Sequence, residues 1–367
     1  MFLTQTVPRQ REIIEVVLRN GWDYMRTLLT GGKADQPQLP PPAVLKNILV
    51  DLGPVYVKLG QLLSTRPDLL SAAYIEELST LQDEVPPVSW LEVEILIRKQ
   101  LKTPLEETFT TINHSPVAAG SIAQTHRATL IDGQEVAIKV QRPGIDETIA
   151  QDITLIQGIA DLVALTEFGQ TADIKSIAQE FTKALEAELD FTREAGFTDQ
   201  LRRNLSQSRW YDPQKIVVAE IYWHLTTEKV LVMEWLDGVP LLAADLSRDD
   251  DKREEITTLL FRAFFQQVYI DGFFHADPHP GNLFYLIDGR IAILDCGMMG
   301  RLDPRTQQIL TEMLLAIVDL DAQRLTLQLS DSAQPIILAR LENDYDRMLR
   351  KYHNISLTEM NFSQVIY

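Results

Sequence analysis

The sequence predicts an α+β chain of two lobes with an N-terminal helical extension, and three observations carry that prediction. Apolar residues recur at helical spacing over much of residues 9–101. The period then changes to that of strands, in two runs over 124–130 and 135–140 joined by Asp132-Gly133, a pair that favours a tight hairpin. Helical patterns return, and a second hairpin is set among them, Leu283–Ile287 and Arg290–Leu294 around Asp288-Gly289. A length of 367 residues suits two domains or one large two-lobed unit.

Taken in order, residues 9–31 read as an amphipathic helix ended by Gly31-Gly32, and 33–42 as a proline-rich linker. Helices are predicted over 43–64, over 68–82 with Asp68 as N-cap, and over 90–101 with Ser89 as N-cap. After the first hairpin come helices over 147–165 and 173–198, then β-rich runs over 215–221 and 228–234. A helix over 251–270 precedes His275, and the chain from 304 on is mostly helical. The boundaries this suggests are a helical extension over 1–110, a β-rich lobe with inserted helices over 111–238, and a helical lobe over 239–367. The closing run Asn361–Tyr367 carries no element-ending signal and reads as a chain cut short.

Composition excludes several function classes. The net charge is −18, which argues against a nucleic-acid partner, because neutralising phosphates needs a basic surface. It argues equally against broad docking on anionic lipid. The single cysteine, Cys296, rules out an internal disulfide and a cysteine-based zinc site. No secretory signal and no run long enough to span a membrane is present in the sequence. The expectation is a cytoplasmic protein, with peripheral membrane contact through an amphipathic helix such as 9–31.

Four features point to phosphate chemistry. Val136-Ala137-Ile138-Lys139 puts a lysine on the second hairpin strand, rooted firmly enough to reach the α- and β-phosphates of a nucleotide. His275-Ala276-Asp277-Pro278-His279-Pro280-Gly281-Asn282 spaces Asp277 and Asn282 like the catalytic loop H-R-D-x-x-x-x-N. Asp277 would orient or deprotonate the attacking group, and Asn282 would ligate a metal ion. Asp295-Cys296-Gly297 follows the apolar run Ile291–Leu294, where a carboxylate can hold Mg²⁺ against phosphates. Ala118-Ala119-Gly120-Ser121 precedes the first hairpin strand, where a glycine-rich phosphate loop would sit, but it is too rich in alanine for the usual form of that loop.

Each feature has a plainer counterpart. Lys139 could be a solubilising edge-strand lysine, His275–Asn282 a polar turn or a histidine metal site, and Asp295–Gly297 and Ala118–Ser121 simple turns. Their joint order on matching elements is what predicts a protein-kinase-like fold. Glu234, at the end of the run 228–234, is placed with the nucleotide-binding residues.

Two further motifs narrow the reading. Lys58-Leu59-Gly60-Gln61 resembles the K-x-G-Q motif of the UbiB family of AarF-type atypical kinases, and Glu188-Leu189-Asp190 resembles that family's E-x-D motif. The alanine-rich loop and the run His275–Asn282 are similar to it too, so the resemblance covers roughly residues 45–305. It implies ATP (or ADP) and Mg²⁺ as cofactors. Lys139 matches the nucleotide-binding lysine, Asp277 the catalytic-loop aspartate, and Asn282 and Asp295 the Mg²⁺ ligands. It also implies that Lys58 and Gln61 lie across the active site. Glu188 or Glu194 should pair with a lysine, and Glu194 is favoured for Lys139. Glu188, Asp190 and Glu194 thereby join the nucleotide-site residues.

No Ala-Pro-Glu follows Asp295-Cys296-Gly297, so a conventional activation segment is missing. The function implied is a Mg²⁺-dependent atypical kinase or ATPase supporting isoprenoid-quinone or other prenyl-lipid metabolism. Its substrate would be a small molecule or a lipid, a prenyl-quinone precursor being the first choice. The competing readings are a protein kinase, a non-enzymatic nucleotide-binding regulator, and an aminoglycoside- or choline-kinase-like enzyme, the last leaving Lys58–Gln61 unexplained.

Overall fold

Proline is tolerated in the first turn of a helix, where its missing N–H costs nothing, and this shapes the start of the fold. The computed structural model describes residues 40–81, 85–164, 173–246 and 250–329, with Arg9, Arg11, Glu15, Val16, Tyr345 and Asp346 besides. Helix α1 (Pro42–Leu52) and helix α2 (Pro54–Ser64) both begin at proline. The single helix predicted over 43–64 is therefore two: Gly53 breaks it at φ 101°, left-handed backbone that suits glycine. Helix α3 (Ala72–Leu78) starts from Ser71 rather than from Asp68, whose carboxylate instead takes the Arg66 guanidinium at 2.7 and 2.9 Å. Ser89 does precede helix α4 (Trp90–Gln100). The helix and membrane contact predicted for 9–31 lie outside the described residues except at positions 9, 11, 15 and 16.

The chain packs as two units, one of residues 1–199 and 219–236, the other of 200–218 and 237–367. In the first, β1 (Phe109–Ile112), β2 (Ala118–Ala119), β3 (Ala123–Leu130) and β4 (Glu135–Gln141) are joined by antiparallel pairing. Gly133, at φ 89°, makes the β3–β4 turn as Asp132-Gly133 predicted. Helices α5 (Ile145–Val163), α6 (Ile174–Glu188) and α7 (Phe191–Ser206) follow. The helix predicted over 173–198 is thus two, because Asp190 stops one and starts the next: its Oδ1 accepts from the Thr192 N–H and hydroxyl at 3.0 and 2.6 Å.

Strand β5 (Ile216–Val218) belongs to the second unit and β6 (Val230–Glu234) to the first, where β6 pairs with β4. The run predicted over 215–221 is accordingly divided between the units, with Ile221 bridging to Met233 in the first.

Alternation along β4 decides which face each residue serves. Val136, Ile138 and Val140 pack into a core with Val93 and Ile97 of α4. On the other face, α7 brings Phe191 and Ala195 against Ala123 and Leu231. A third core, mainly helical, joins α1, α2, α3, α5 and α6 through Leu49, Tyr56, Leu78, Ile149 and Phe181.

In the second unit, β7 (Gly238–Pro240), β9 (Leu283–Leu286) and β10 (Ile291–Ile293) form a sheet in which β10 pairs parallel with β5. Helix α8 (Asp250–Gln266) widens into a π-helical turn over Gln267–Asp271, ended by Gly272 at φ 57°. A two-stranded ribbon pairs β8 (Phe273–His275) with β11 (Met299–Arg301). Helix α9 (Pro304–Val318), N-capped by Asp303, and helix α10 (Ala322–Leu329) complete the described chain. No helix among the described residues is long and apolar enough to cross a membrane.

Candidate functional site

The candidate residues of the first unit are built around β4. Lys139 alternates with Ala137 and Gln141 toward α7, and Glu194 lies one turn into that helix. Lys139 Nζ donates to both Glu194 oxygens, at 2.7 and 2.9 Å, and lies 5.4 Å from the centre of the Phe191 ring. Glu194, not Glu188, is thus the carboxylate of Lys139.

Glu188, at the end of α6, takes Lys58 instead, at 2.8 and 3.0 Å. Gln61 is turned toward the connector after α3 and donates to the Leu81 carbonyl at 3.3 Å. The glycine of this motif has a packing reason: a Cβ on Gly60 would stand 2.4 Å from a Leu81 methyl and 2.8 Å from a Leu49 methyl. α2 therefore lies tight against its neighbours because Gly60 has no side chain.

Ala118 and Ala119 pair with Thr125 and Gln124 as a short strand, and the Gly120 N–H closes the loop on the Ala123 carbonyl at 2.8 Å. Ser121 is buried. No residue of this loop has positive φ, which is what its alanines require. Glu234 ends β6 opposite Val136, and its Oε2 accepts from the Glu220 N–H at 3.2 Å.

In the second unit, backbone hydrogen bonds bring Asp277, Asn282 and Asp295 together. His275 is buried and links the two motifs. Its Nε2 meets the Asp295 carbonyl at 3.0 Å, so that nitrogen carries the proton, and Nδ1 accepts from the Asp277 N–H at 3.2 Å. The Asn282 side-chain Nδ2 donates to the Asp277 carbonyl at 3.2 Å, and the Leu294 N–H donates to the Asn282 carbonyl at 2.8 Å. Asp295 sits at φ 52°, an uncommon conformation for a residue with a side chain. Both aspartates are exposed, while Cys296 is buried. From Gly297 the chain enters β11 within two residues and reaches the Asp303 cap four residues later.

Hard oxygen donors suit Mg²⁺, which keeps several waters and takes one or two protein carboxylates. Asp295 supplies a carboxylate. With its Nδ2 engaged, Asn282 presents its Oδ1 as the remaining acceptor. The donor set therefore fits the ion.

Sequence reasoning missed a buried polar layer in the first unit. Gln124 grips the Val88 backbone through both amide atoms, at 2.8 and 3.3 Å, and donates to His126 Nε2 at 2.9 Å. His126 in turn donates from Nδ1 to the Asn113 carbonyl at 2.7 Å, and burial lowers its pKa. Gln141 donates to the Leu189 and Glu228 carbonyls at 2.5 and 3.1 Å, holding the corner between Glu188 and Glu194. The available signal was alternation along β3, where Gln124 and His126 share the buried face with Ala128 and Leu130.

Comparison with known proteins bears on the family and the fold. The model of the ABC1 atypical kinase-like domain matches residues 80–329. The Synechocystis protein slr0889 is 59% identical over the whole chain, which spans 92% of that relative. A probable protein kinase UbiB of Azotobacter vinelandii is 39% identical over 76% of this chain but only 52% of its own length. The chain therefore spans about half the length of such UbiB relatives. The solved structure of Mycobacterium tuberculosis Rv3197 with erythromycin superposes with a TM-score of 0.56 at 24% identity, covering 95% of this chain and 87% of that one. The fold is kinase-like, and the chain belongs to the ABC1 atypical kinase-like family.

Proposed function

We propose that the chain is an ATP-dependent, Mg²⁺-requiring phosphotransferase or ATPase of the UbiB type, acting on a small molecule or lipid and supporting isoprenoid-quinone or related prenyl-lipid metabolism. The observation that carries the reading is the bidentate Lys139–Glu194 pair, which holds a strand lysine in the manner that nucleotide phosphates require. Lys139 binds the α- and β-phosphates, and the Ala118–Ser121 loop lies along them. Glu188, Asp190 and Glu234 shape the nucleotide site. Asp277 orients or deprotonates the attacking group. Asn282 and Asp295 hold the metal ion, which supplies charge neutralisation for the transferring phosphoryl group. Lys58 and Gln61 guard the approach of substrate. The quinone link rests on the resemblance to the UbiB family alone.

Those relatives are called probable protein kinases, which favours a second reading. Only five residues separate Gly297 from the Asp303 cap, and so short a link supports a non-protein acceptor, because it leaves no length for a peptide-docking segment. ATP turnover in the presence of Mg²⁺ tests the first reading. Asp277→Asn should lower it by about a thousandfold, and equal rates would remove the catalytic assignment. Labelled phosphate appearing on added protein substrates would establish the second.

A further inference from the structure

Arg142, three residues past Lys139, reaches back over the alanine-rich loop. Its Nε donates to the Gly120 carbonyl at 2.8 Å. Its Nη2 donates to the carbonyls of Val85 and Pro86 at 3.2 and 3.0 Å. Its own N–H is bonded to the Ile122 carbonyl at 2.8 Å. A guanidinium whose donors are spread over three carbonyls fixes those peptides in one geometry, because its fork is planar and rigid. A lysine ammonium cannot span them.

The other end of this bracket is the segment that leads into α4. Gln124 grips Val88, a little further on, through both its amide atoms. This segment is thus bonded to the alanine-rich loop through Arg142 and to β3 through Gln124.

We infer that Arg142 is a positioning residue, which fixes the Ala118–Ser121 loop against the Val85–Pro86 segment and so holds that loop ready for the nucleotide phosphates. This rests on the nucleotide-site reading above. It goes beyond it by giving a role to a residue outside the proposed nucleotide and metal set. Removing the bracket frees the Gly120 peptide to rotate, so its cost falls on nucleotide affinity more than on the chemical step. The hydrogen bonds at stake link a charged donor to carbonyls, and their loss is transmitted only through the loop.

The test is calorimetric titration of the full chain with MgATP, together with initial rates of ATP turnover, on wild type, Arg142→Met, Arg142→Lys and Lys139→Met. Arg142→Met should raise Kd and KM about tenfold, with kcat changed by about twofold at most. Arg142→Lys should fall between it and wild type. If Lys139→Met weakens binding while both Arg142 variants bind as wild type does, the positioning role is overturned and the nucleotide site stands. If wild type does not bind MgATP, both fall. If Arg142→Met and Arg142→Lys both fail to fold, Arg142 is a stability residue and the inference is overturned.

Discussion

In the first unit both candidate lysines are already neutralised: Lys139 and Glu194 are 18% and 10% exposed at their side chains, and Lys58 and Glu188 are 20% and 22% exposed. In the second unit Asp277 and Asp295 are exposed; His275 and Asn282 hold their backbones, and the Gly297 N–H donates to Asp295 Oδ1 at 3.2 Å. The first arrangement keeps positive charge rigid and partly buried. The second keeps negative charge wet and available to a cation. A desolvated lysine needs its carboxylate to remain charged, whereas water solvates an exposed aspartate. The two units thus hold their charged groups in different ways.

The largest stability effect expected from this contrast separates the two ion pairs. Glu194→Ala deprives the less exposed lysine of its carboxylate and should cost about 3 kcal/mol. Glu188→Ala, at the more exposed pair, should cost about 1 kcal/mol. Denaturant midpoints of the two variants measure this, and equal losses would erase the distinction. Next in size are two glycines. An added Cβ on Gly300 would stand 2.3–2.8 Å from three atoms of the Phe274 ring. A ring cannot give way as a leucine tip can, so Gly300→Ala should cost about 2–3 kcal/mol. Gly60→Ala meets only the Leu81 and Leu49 methyls and gains helix propensity, so its net cost should stay near 1 kcal/mol. A thermal melt in which Gly60→Ala is the worse of the two would contradict the packing account.

The smallest effect is one of pH. Burial lowers the pKa of His126 below its ordinary 6.5, so the folded ring stays neutral while the unfolded one protonates. The unfolded state then binds more protons, and stability falls as pH drops below about 6.5 toward the depressed folded value. The loss is bounded at about 1.4 kcal/mol per pH unit. Guanidinium midpoints at pH 7.5 and 5.5 should differ more for wild type than for His126→Gln, and an unchanged difference would remove His126 from the account.

Local signals made much of this legible in the sequence. Asp132-Gly133 and Asp288-Gly289 give their hairpins directly, and the Lys139, Asp277, Asn282 and Asp295 elements lie where the motifs place them. Breaks inside long helical patterns were hidden, because apolar periodicity runs on through Gly53-Pro54 and through Leu189-Asp190. Pairing between distant strands was hidden too. Nothing local in Ile216–Val218 says that it pairs with Ile291–Ile293 rather than with the run that follows it. Gln124, His126 and Gln141 were missed because polar residues in strands read as exposed until their buried partners are seen, and Arg142 because nothing local announces its carbonyl partners Gly120, Val85 and Pro86.

The roles proposed for Lys139 and Asp277 are tested most directly by measuring MgATP affinity and ATP turnover on Lys139→Met and Asp277→Asn side by side. Lys139→Met should lose affinity by at least about tenfold. Asp277→Asn should bind MgATP within about threefold of wild type while losing about a thousandfold in turnover. Turnover by Asp277→Asn at the wild-type rate, or undiminished affinity in Lys139→Met, would contradict the account.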